Sequence, residues 1–428
     1  MSLGFEQAGF DVVAAVEVDP IHCAVHKFNF PECAIIPRSI KGLTAREVRA
    51  AAGIGNRAVD CVFGGPPCQG FSLIGHRALD DPRNSLVRDF VRLVAELGAR
   101  TFVFENVKGL TIGRHRAFLN ELVTAFDDAG YAVQLPWEVL NAAHFGVPQY
   151  RERLILMGAK KGERFPEYPQ RRTSPADDPQ LGLPRGPTCE DALQDVPNAE
   201  IYAALRDGDA VQSFKWGTPS TYARELRCLT NDAWHYGHMR DWNPLMLTSS
   251  FQTGHTPISR SRFDDTLPGT VEPISRFFRL EACGLSNTLR AGTDGARGAF
   301  TSPRPIHYKY ARCVTVREMA RLHGFPDWFR FHATKWHGAR QVGNAVPPPL
   351  ARAIGREIAG ALNAELLRSH RTVALGDEAL LRMEMSEAAR HFGIAAPNTR
   401  RDRKSGARKR SQAETEAARL AAMVTAGV

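Results

Sequence analysis

Through the first 160 residues, short runs of β-branched and aromatic residues alternate with longer stretches of helical character. This alternation limits the fold more than any other feature, because strands separated by helical crossovers form a parallel sheet with helices on both faces. The predicted strands cover residues 11–18, 34–37, 59–63, 101–107, 132–140 and 153–157, and the predicted helices 20–30, 44–52, 85–99 and 116–129. The opening decapeptide, ending in Gly9-Phe10, reads as the end of a helix with a glycine stop.

The strand at 59–63 runs into Gly64-Gly65-Pro66-Pro67-Cys68-Gln69-Gly70-Phe71-Ser72. Its prolines fix φ and leave the loop little freedom, so Cys68 is held at a strand's carboxyl end, where α/β sheets place their sites. A cysteine on such a loop is a candidate nucleophile, although a lone thiol reads equally well as an inert packing residue. Thirty-seven positions later the strand at 101–107 ends in Glu105-Asn106-Val107. Farther on come Gln149-Tyr150-Arg151-Glu152-Arg153 and the turn Gln341-Val342-Gly343-Asn344-Ala345-Val346-Pro347-Pro348.

A chain of 428 residues exceeds one ordinary domain, so a large core domain, a smaller second one and a tail are expected. The 43% hydrophobic and 24% charged content fits a globular protein, and no apolar run reaches the ~20 residues of a membrane helix. The eight cysteines contain no Cys-x-x-Cys pair, which argues against a zinc ribbon or disulfide framework and for a reducing compartment. The net charge is +9, but residues 399–411 alone contribute +6 of it, so the basicity is mostly that of the tail.

Taken in order, the four motif stretches resemble the bacterial DNA cytosine-C5 methyltransferases, over residues 1–160 and 285–366. The resemblance implies an α/β fold: a Rossmann-like, S-adenosylmethionine-dependent methyltransferase sheet with an inserted, irregular target-recognition domain. Its segments would be 1–162 (catalytic), 163–285 (target recognition), 286–367 (a return completing the catalytic domain) and 368–428 (a basic tail). It implies that Cys68 attacks cytosine C6, that Glu105 meets N3 and the exocyclic amine, and that Arg153 reaches O2. S-adenosylmethionine, with no metal, would meet Glu17 at its ribose, Val18 at its adenine and Asn344 near its methionine part, with Pro66 also in contact. Glu17 also reads as a ribose acceptor from its place at a strand end, or as a plain solvated carboxylate. Ser39 stands where the family often has an Asp, which puts that contact with the adenine amine in question. Gln69, Ser72, Arg83, Asn106, Gln149 and Arg151 would serve the DNA, Arg151 through phosphate or loop contacts, and residues 75–84, otherwise readable as a passive connection, would be a lid. The expected partner is double-stranded DNA, with either a restriction endonuclease acting separately or a solitary modification role. The expected setting is a cytoplasmic monomer with no membrane contact.

The chain departs from the family at its start. The family's first strand and Phe-x-Gly-x-Gly loop have no counterpart before Met1, so either the true start lies about a dozen residues upstream or the product is truncated. Two other functions stay open: a tRNA cytosine-C5 methyltransferase, and an inactive DNA-binding relative. Between residues 163 and 285, basic and aromatic residues interleave around Trp216, Trp234, Arg240, Trp242, Phe263 and Arg279, as suits phosphate and base contacts or a small aromatic core. Thr315 and Glu318 form the signature of a capping box, and a long helix is expected over 350–367. In the tail, residues 385–394 suit one amphipathic helix and 400–410 a disordered basic arm with phosphate affinity.

Overall fold

The computed structural model describes residues 1–67, 84–111, 115–292 and 303–396. Helices and strands alternate at first: α1 (Ser2–Gln7), β1 (Ala14–Val16), α2 (Pro20–Asn29), β2 (Ala34–Ile36), α3 (Ala45–Ala52), β3 (Cys61–Gly64), α4 (Ser85–Leu97), β4 (Thr101–Val107) and α5 (His115–Asp128). Local chemistry sets the boundaries. Asp19 caps α2 by accepting from the Ile21 N–H at 2.9 Å, and Thr44 with Glu47 closes a capping box on α3. Helices α3 and α4 stop at Gly53 and Gly98, whose φ values of 63° and 62° are left-handed.

The core sheet continues with β5 (Tyr131–Val133), β6 (Glu138–Asn141) and β7 (Glu152–Lys160). Its order is β3-β4-β7-β5, with β6 also paired to β7. Strands β3 and β4 are parallel, whereas β7 is antiparallel to β4, β5 and β6, so the sheet is mixed rather than wholly parallel. The single strand expected over 132–140 is two strands along one edge of β7, separated by a segment containing Pro136, which has no N–H for the ladder. Strands β1 and β2 form a separate parallel pair. Among the described residues, neither is hydrogen-bonded to the core sheet.

The middle of the chain is mostly loop. It carries α6 (Cys189–Leu193), β8 (Val211–Gln212), α7 (Thr221–Leu226), β9 (Met239–Asp241), β10 (Met246–Leu247) and α8 (Pro257–Asp265). Many of its basic and aromatic residues face inward. Arg240 is buried, ion-paired with Glu6 at 2.8 Å and set 4.7 Å over the ring of Trp328, while Trp234 stacks on Trp328. Arg279 donates to the carbonyls of Phe263, Asp264 and Thr266, and Phe263 is itself buried. These residues hold loops together and are not a free nucleic-acid surface; Phe214, by contrast, is 78% exposed.

The chain returns through α9 (Val316–Leu322), α10 (Lys335–Asn344) and α11 (Pro348–Ala361). The expected capping box is present at the start of α9, and its buried Arg321 binds Asp327 at 2.6 Å and Asp195, from the middle segment, at 3.1 Å. Helix α11 ends short of the predicted residue 367, where Asn363 takes a left-handed φ of 50°. It packs closely on α1: a Cβ on Gly4 would lie 2.5 Å from the Cβ of Ala351, and one on Gly355 would lie 2.7 Å from that of Ala8. What was expected to be tail from residue 368 is folded as far as residue 396. Strand β11 (Thr372–Ala374) pairs with β9, and the segment leading to α12 (Met385–His391) buries Leu380 and Leu381 against Ala24, Val25 and Phe28 of α2. The basic run 400–410 lies outside the described residues. Among those described, no helix is long and apolar enough to cross a membrane.

Candidate active site

Glu105 and Arg153 meet across β4 and β7. Their register places Val107 opposite Arg153 and Glu105 opposite Ile155. From there the Arg153 Nε reaches the Glu105 Oε1 at 2.9 Å, with the two side chains only 13% and 15% exposed. Burial pushes the Glu105 carboxyl above its ordinary value, while the opposite charges of Arg153 and Arg151 and the Met1 amine hold it back. Burial likewise lowers the Arg153 guanidinium, with Glu105 opposing.

The segment leading to the Cys68 loop is fastened directly over this pair. Asn106 donates from Nδ2 to the Pro66 carbonyl at 3.0 Å. Gly65 lies so close to the carboxylate that a Cβ there would be 2.6 Å from the Glu105 Oε2, a contact only glycine avoids. Cys68, Gln69, Ser72, Arg83 and the lid expected at 75–84 (its last residue, Asn84, excepted) lie outside the described residues.

One cavity of about 1060 Å³ joins Glu105 to the cofactor candidates. Glu17, Val18, Ser39, Pro66, Glu105 and Asn344 all line it. Glu17 follows β1; burial would raise its carboxyl, but His22 and the Asp19 and Val18 backbone N–H groups outweigh this and lower it. Its Oε1 accepts from the Asp19 N–H at 2.9 Å, and its Oε2 lies 3.7 Å from the His22 Nδ1. Val18 is 60% exposed, an apolar surface open to a ring. The Ser39 Oγ accepts from the Lys41 N–H at 3.2 Å, so it is partly engaged within its own turn. A half-exposed carboxylate beside an exposed apolar side chain is a donor set that fits a nucleoside. Among the described residues, no group of His, Cys, Asp or Glu is arranged to hold a metal.

Two expectations of DNA contact are corrected. Gln149 and Arg151 are fully buried. Arg151 donates to the carbonyls of Leu289 (2.9 Å), Gly343 (2.8 Å) and Ala345 (2.8 Å). Gln149 donates to the Leu322 carbonyl at 3.2 Å, accepts from the Leu289 N–H at 3.1 Å and lies 3.0 Å from the His323 Nδ1, while His323 Nε2 reaches the Ala345 carbonyl at 3.0 Å. Together they clamp the Gly343–Ala345 turn that presents Asn344 to the cavity. The resemblance left phosphate or loop contacts open for Arg151, and the contacts it makes are to loop carbonyls. Reasoning from sequence missed His22 as the partner of Glu17, although its place in the first turn of a helix capped by Asp19 was a usable signal. It also missed the close approach at Gly65, signalled by the Gly-Gly before Pro-Pro.

The sheet, the acid–guanidinium pair and the cavity at the strand ends suit a methyltransferase of the C5-cytosine class, and the family comparison shows that class. The sequence model of the C-5 cytosine-specific DNA methylase family matches residues 1–360, and the chain belongs to that family. It is 54% identical over 397 residues to the Type II methyltransferase M.XorII of Xanthomonas oryzae, covering 92% of this chain and 90% of the relative. It is 33% identical over 367 residues to the Type II methyltransferase M1.HphI of Haemophilus parahaemolyticus, covering 83% of each. Among solved structures it resembles a candidate DNA modification methyltransferase encoded within an E. coli prophage, at TM-score 0.64 and 30% identity, covering 85% of this chain and 96% of that one. The protein is a DNA cytosine-5 methyltransferase; the tRNA-directed and inactive alternatives are not favoured.

Proposed function

We propose that this enzyme methylates C5 of a cytosine flipped out of a specific duplex sequence, through a transient bond between Cys68 and C6. The supporting observation is that Glu17, Val18, Ser39, Pro66, Glu105 and Asn344, which come from five separate stretches, share one cavity at the strand ends. C5 of an aromatic cytosine is a poor nucleophile. A thiolate adding at C6 makes C5 enamine-like, and protonation of N3 takes up the charge that develops. Glu105 suits that proton transfer because burial raises its carboxyl towards the working pH. Arg153, beside it, would orient the carboxylate and reach O2. The Asn106–Pro66 bond and the Gly65 contact would fix the approach of the Cys68 loop to Glu105. A thiol of ordinary pKa ~8.5 is only slightly ionised at neutral pH, so it needs positive charge nearby.

S-adenosylmethionine would supply an electrophilic methyl group on its sulfonium. Glu17 would accept from the ribose hydroxyls, Val18 would cover the adenine, and Asn344, held by Arg151 and Gln149, would lie near the methionine part. After C5 gains the methyl, a base removes the C5 proton and the Cys68 thiolate leaves, restoring the ring. Base flipping would cost a few kcal/mol, offset by groove and phosphate contacts. Gln69, Ser72 and Arg83 are proposed for those contacts. The relatives' Type II designation supports a role in a restriction–modification system; a cytoplasmic monomer, with the endonuclease acting separately, is proposed alongside it.

The test is duplex DNA carrying 5-fluorocytosine at the target position. Because fluorine cannot leave as a proton, the enzyme should stay bonded to the DNA through Cys68, and peptide mapping would locate the link. Turnover of normal DNA with no trapped adduct, or near-normal turnover by Cys68→Ser, would overturn the covalent route.

A further inference from the structure

Three charged side chains meet where β1 runs into α2: Glu17, just past the strand, Asp19, the N-cap of the helix, and His22, in its first turn. Glu17 and His22 both line the cavity. The His22 ring sits between the two carboxylates. Its Nδ1 lies 3.7 Å from the Glu17 Oε2, and its Nε2 lies 3.9 Å from the Asp19 Oδ2. A neutral imidazole carries a single N–H, so only the imidazolium can present a donor to each carboxylate. The Nε2 is buried without a hydrogen bond, and the charge of Asp19 is what faces it.

The surroundings favour a proton on this ring over its neighbours. Burial lowers His22, but Glu17 and Asp19 outweigh it and raise the ring above its ordinary value, with Arg340 opposing. His332, ahead of α10, and His337, on α10, also interact with His22; burial lowers both, His337 to about 4. His332 is further occupied by the Thr334 Oγ1 at 2.9 Å and the Met383 carbonyl at 3.1 Å. His26, one turn farther along α2, interacts with Glu17 and is lowered by burial to about 4, while burial pushes the Cys23 thiol up to about 12.

A carboxylate offers about four lone-pair positions. The Glu17 Oε1 accepts from the Asp19 N–H at 2.9 Å and its Oε2 faces His22, which leaves a position on each oxygen for two adjacent hydroxyls. The Glu17 side chain is 40% exposed, so without a second anchor it is free to turn away from the cavity and must be ordered when a ligand binds. We propose that His22 is a positioning residue of the cofactor site: as an imidazolium it bridges Glu17 and Asp19 and keeps the Glu17 carboxylate ionised and aimed at the ribose diol of S-adenosylmethionine. This rests on the reading of Glu17 as the ribose acceptor. His22 acts through Glu17 and touches no reacting atom, so it governs cofactor affinity and not methyl transfer. As pH rises through the raised value of His22, the ring loses its proton, one nitrogen ceases to donate, and affinity falls.

The experiment is calorimetric titration of the full chain with S-adenosylmethionine and with S-adenosylhomocysteine, between about pH 5.5 and 9. The second ligand lacks the sulfonium charge, so an equal effect on both assigns the interaction to the nucleoside they share. His22→Gln is uncharged throughout, and it should bind both ligands about tenfold more weakly at the acidic end and show no fall as pH rises. His22→Lys keeps a cation over this range and should recover most of the affinity, again without the fall. KM for S-adenosylmethionine should rise in His22→Gln while kcat stays within about twofold. In a Glu17→Gln background, His22→Gln should weaken binding no further.

Parent-like affinity and pH dependence in His22→Gln would overturn the proposal. So would a His22→Lys chain no better than His22→Gln, or an equal loss from His22→Gln with and without Glu17, the mark of a merely structural histidine. If Glu17→Gln binds both ligands as the parent does, the ribose reading itself fails and takes the proposal with it. If Glu17→Gln binds weakly and His22→Gln does not, the ribose reading stands and the role of His22 alone is refuted.

Discussion

Gly65→Ala tests the geometry at the centre of the site with one carbon atom. The added Cβ would lie 2.6 Å from the Glu105 Oε2 and 3.2 Å from the Glu105 carbonyl oxygen. Ordinary contact needs about 3.5 Å, so the carboxylate must retreat by roughly 0.9 Å. It cannot do so alone, because Arg153 holds its other oxygen at 2.9 Å and both side chains are largely buried. A displacement of about 1 Å at a reacting group costs on the order of a hundredfold in rate, or about 2.7 kcal/mol at the transition state. The strain in the folded state should cost about 1–3 kcal/mol of stability. The assay is methyl transfer from labelled S-adenosylmethionine to a target duplex under single-turnover conditions, with binding of the duplex measured separately. Binding should be largely retained while the chemical step slows about a hundredfold. Because the loss acts through Glu105, combining Gly65→Ala with Glu105→Gln should be far less than multiplicative. A single-turnover rate within about twofold of the parent, or losses that multiply, would refute the reasoning.

Arg151→Met should leave the carbonyls of Leu289, Gly343 and Ala345 without their donor, destabilise the protein by about 3 kcal/mol, and raise KM for S-adenosylmethionine more than it changes duplex affinity. Arg153→Met removes an attraction that opposes the burial of Glu105, so the Glu105 carboxyl should rise further. If Glu105 acts in its protonated form, the fall in rate with increasing pH then moves to higher pH, which a pH–rate profile would read. Glu318 is fully buried, and its paired Arg312 overcomes the effect of burial to hold the carboxyl down at about 2. A depressed carboxyl contributes stability above its unfolded value near 4.5 that is lost as pH falls towards 2. Acid unfolding over that window should therefore be shallower in Glu318→Gln, by up to about 3 kcal/mol.

The sequence by itself determined the succession of elements and the chemistry available to them. Caps such as Asp19, Thr44 and Thr315 and stops such as Gly53 and Gly98 act within a few residues, so the bounds of α2, α3, α4 and α9 were legible from local residue types. Glu17, Val18, Ser39, Pro66, Glu105 and Asn344 were picked out through the family resemblance, and only the fold brings all six to one cavity. Direction and company were not legible. Arg151 and Arg153 are two positions apart, the first just before β7 and the second within it. The first is turned into the interior to clamp the Gly343–Ala345 turn, and the second meets Glu105 across the sheet. Long-range pairing made that choice, and a strand's sequence does not encode the identity of its neighbour. For the same reason Arg240 and Trp234 belong to buried pairs with Glu6 and Trp328. Part of the expected tail is a folded element on α2, because its leucines found an apolar surface that only the assembled fold provides.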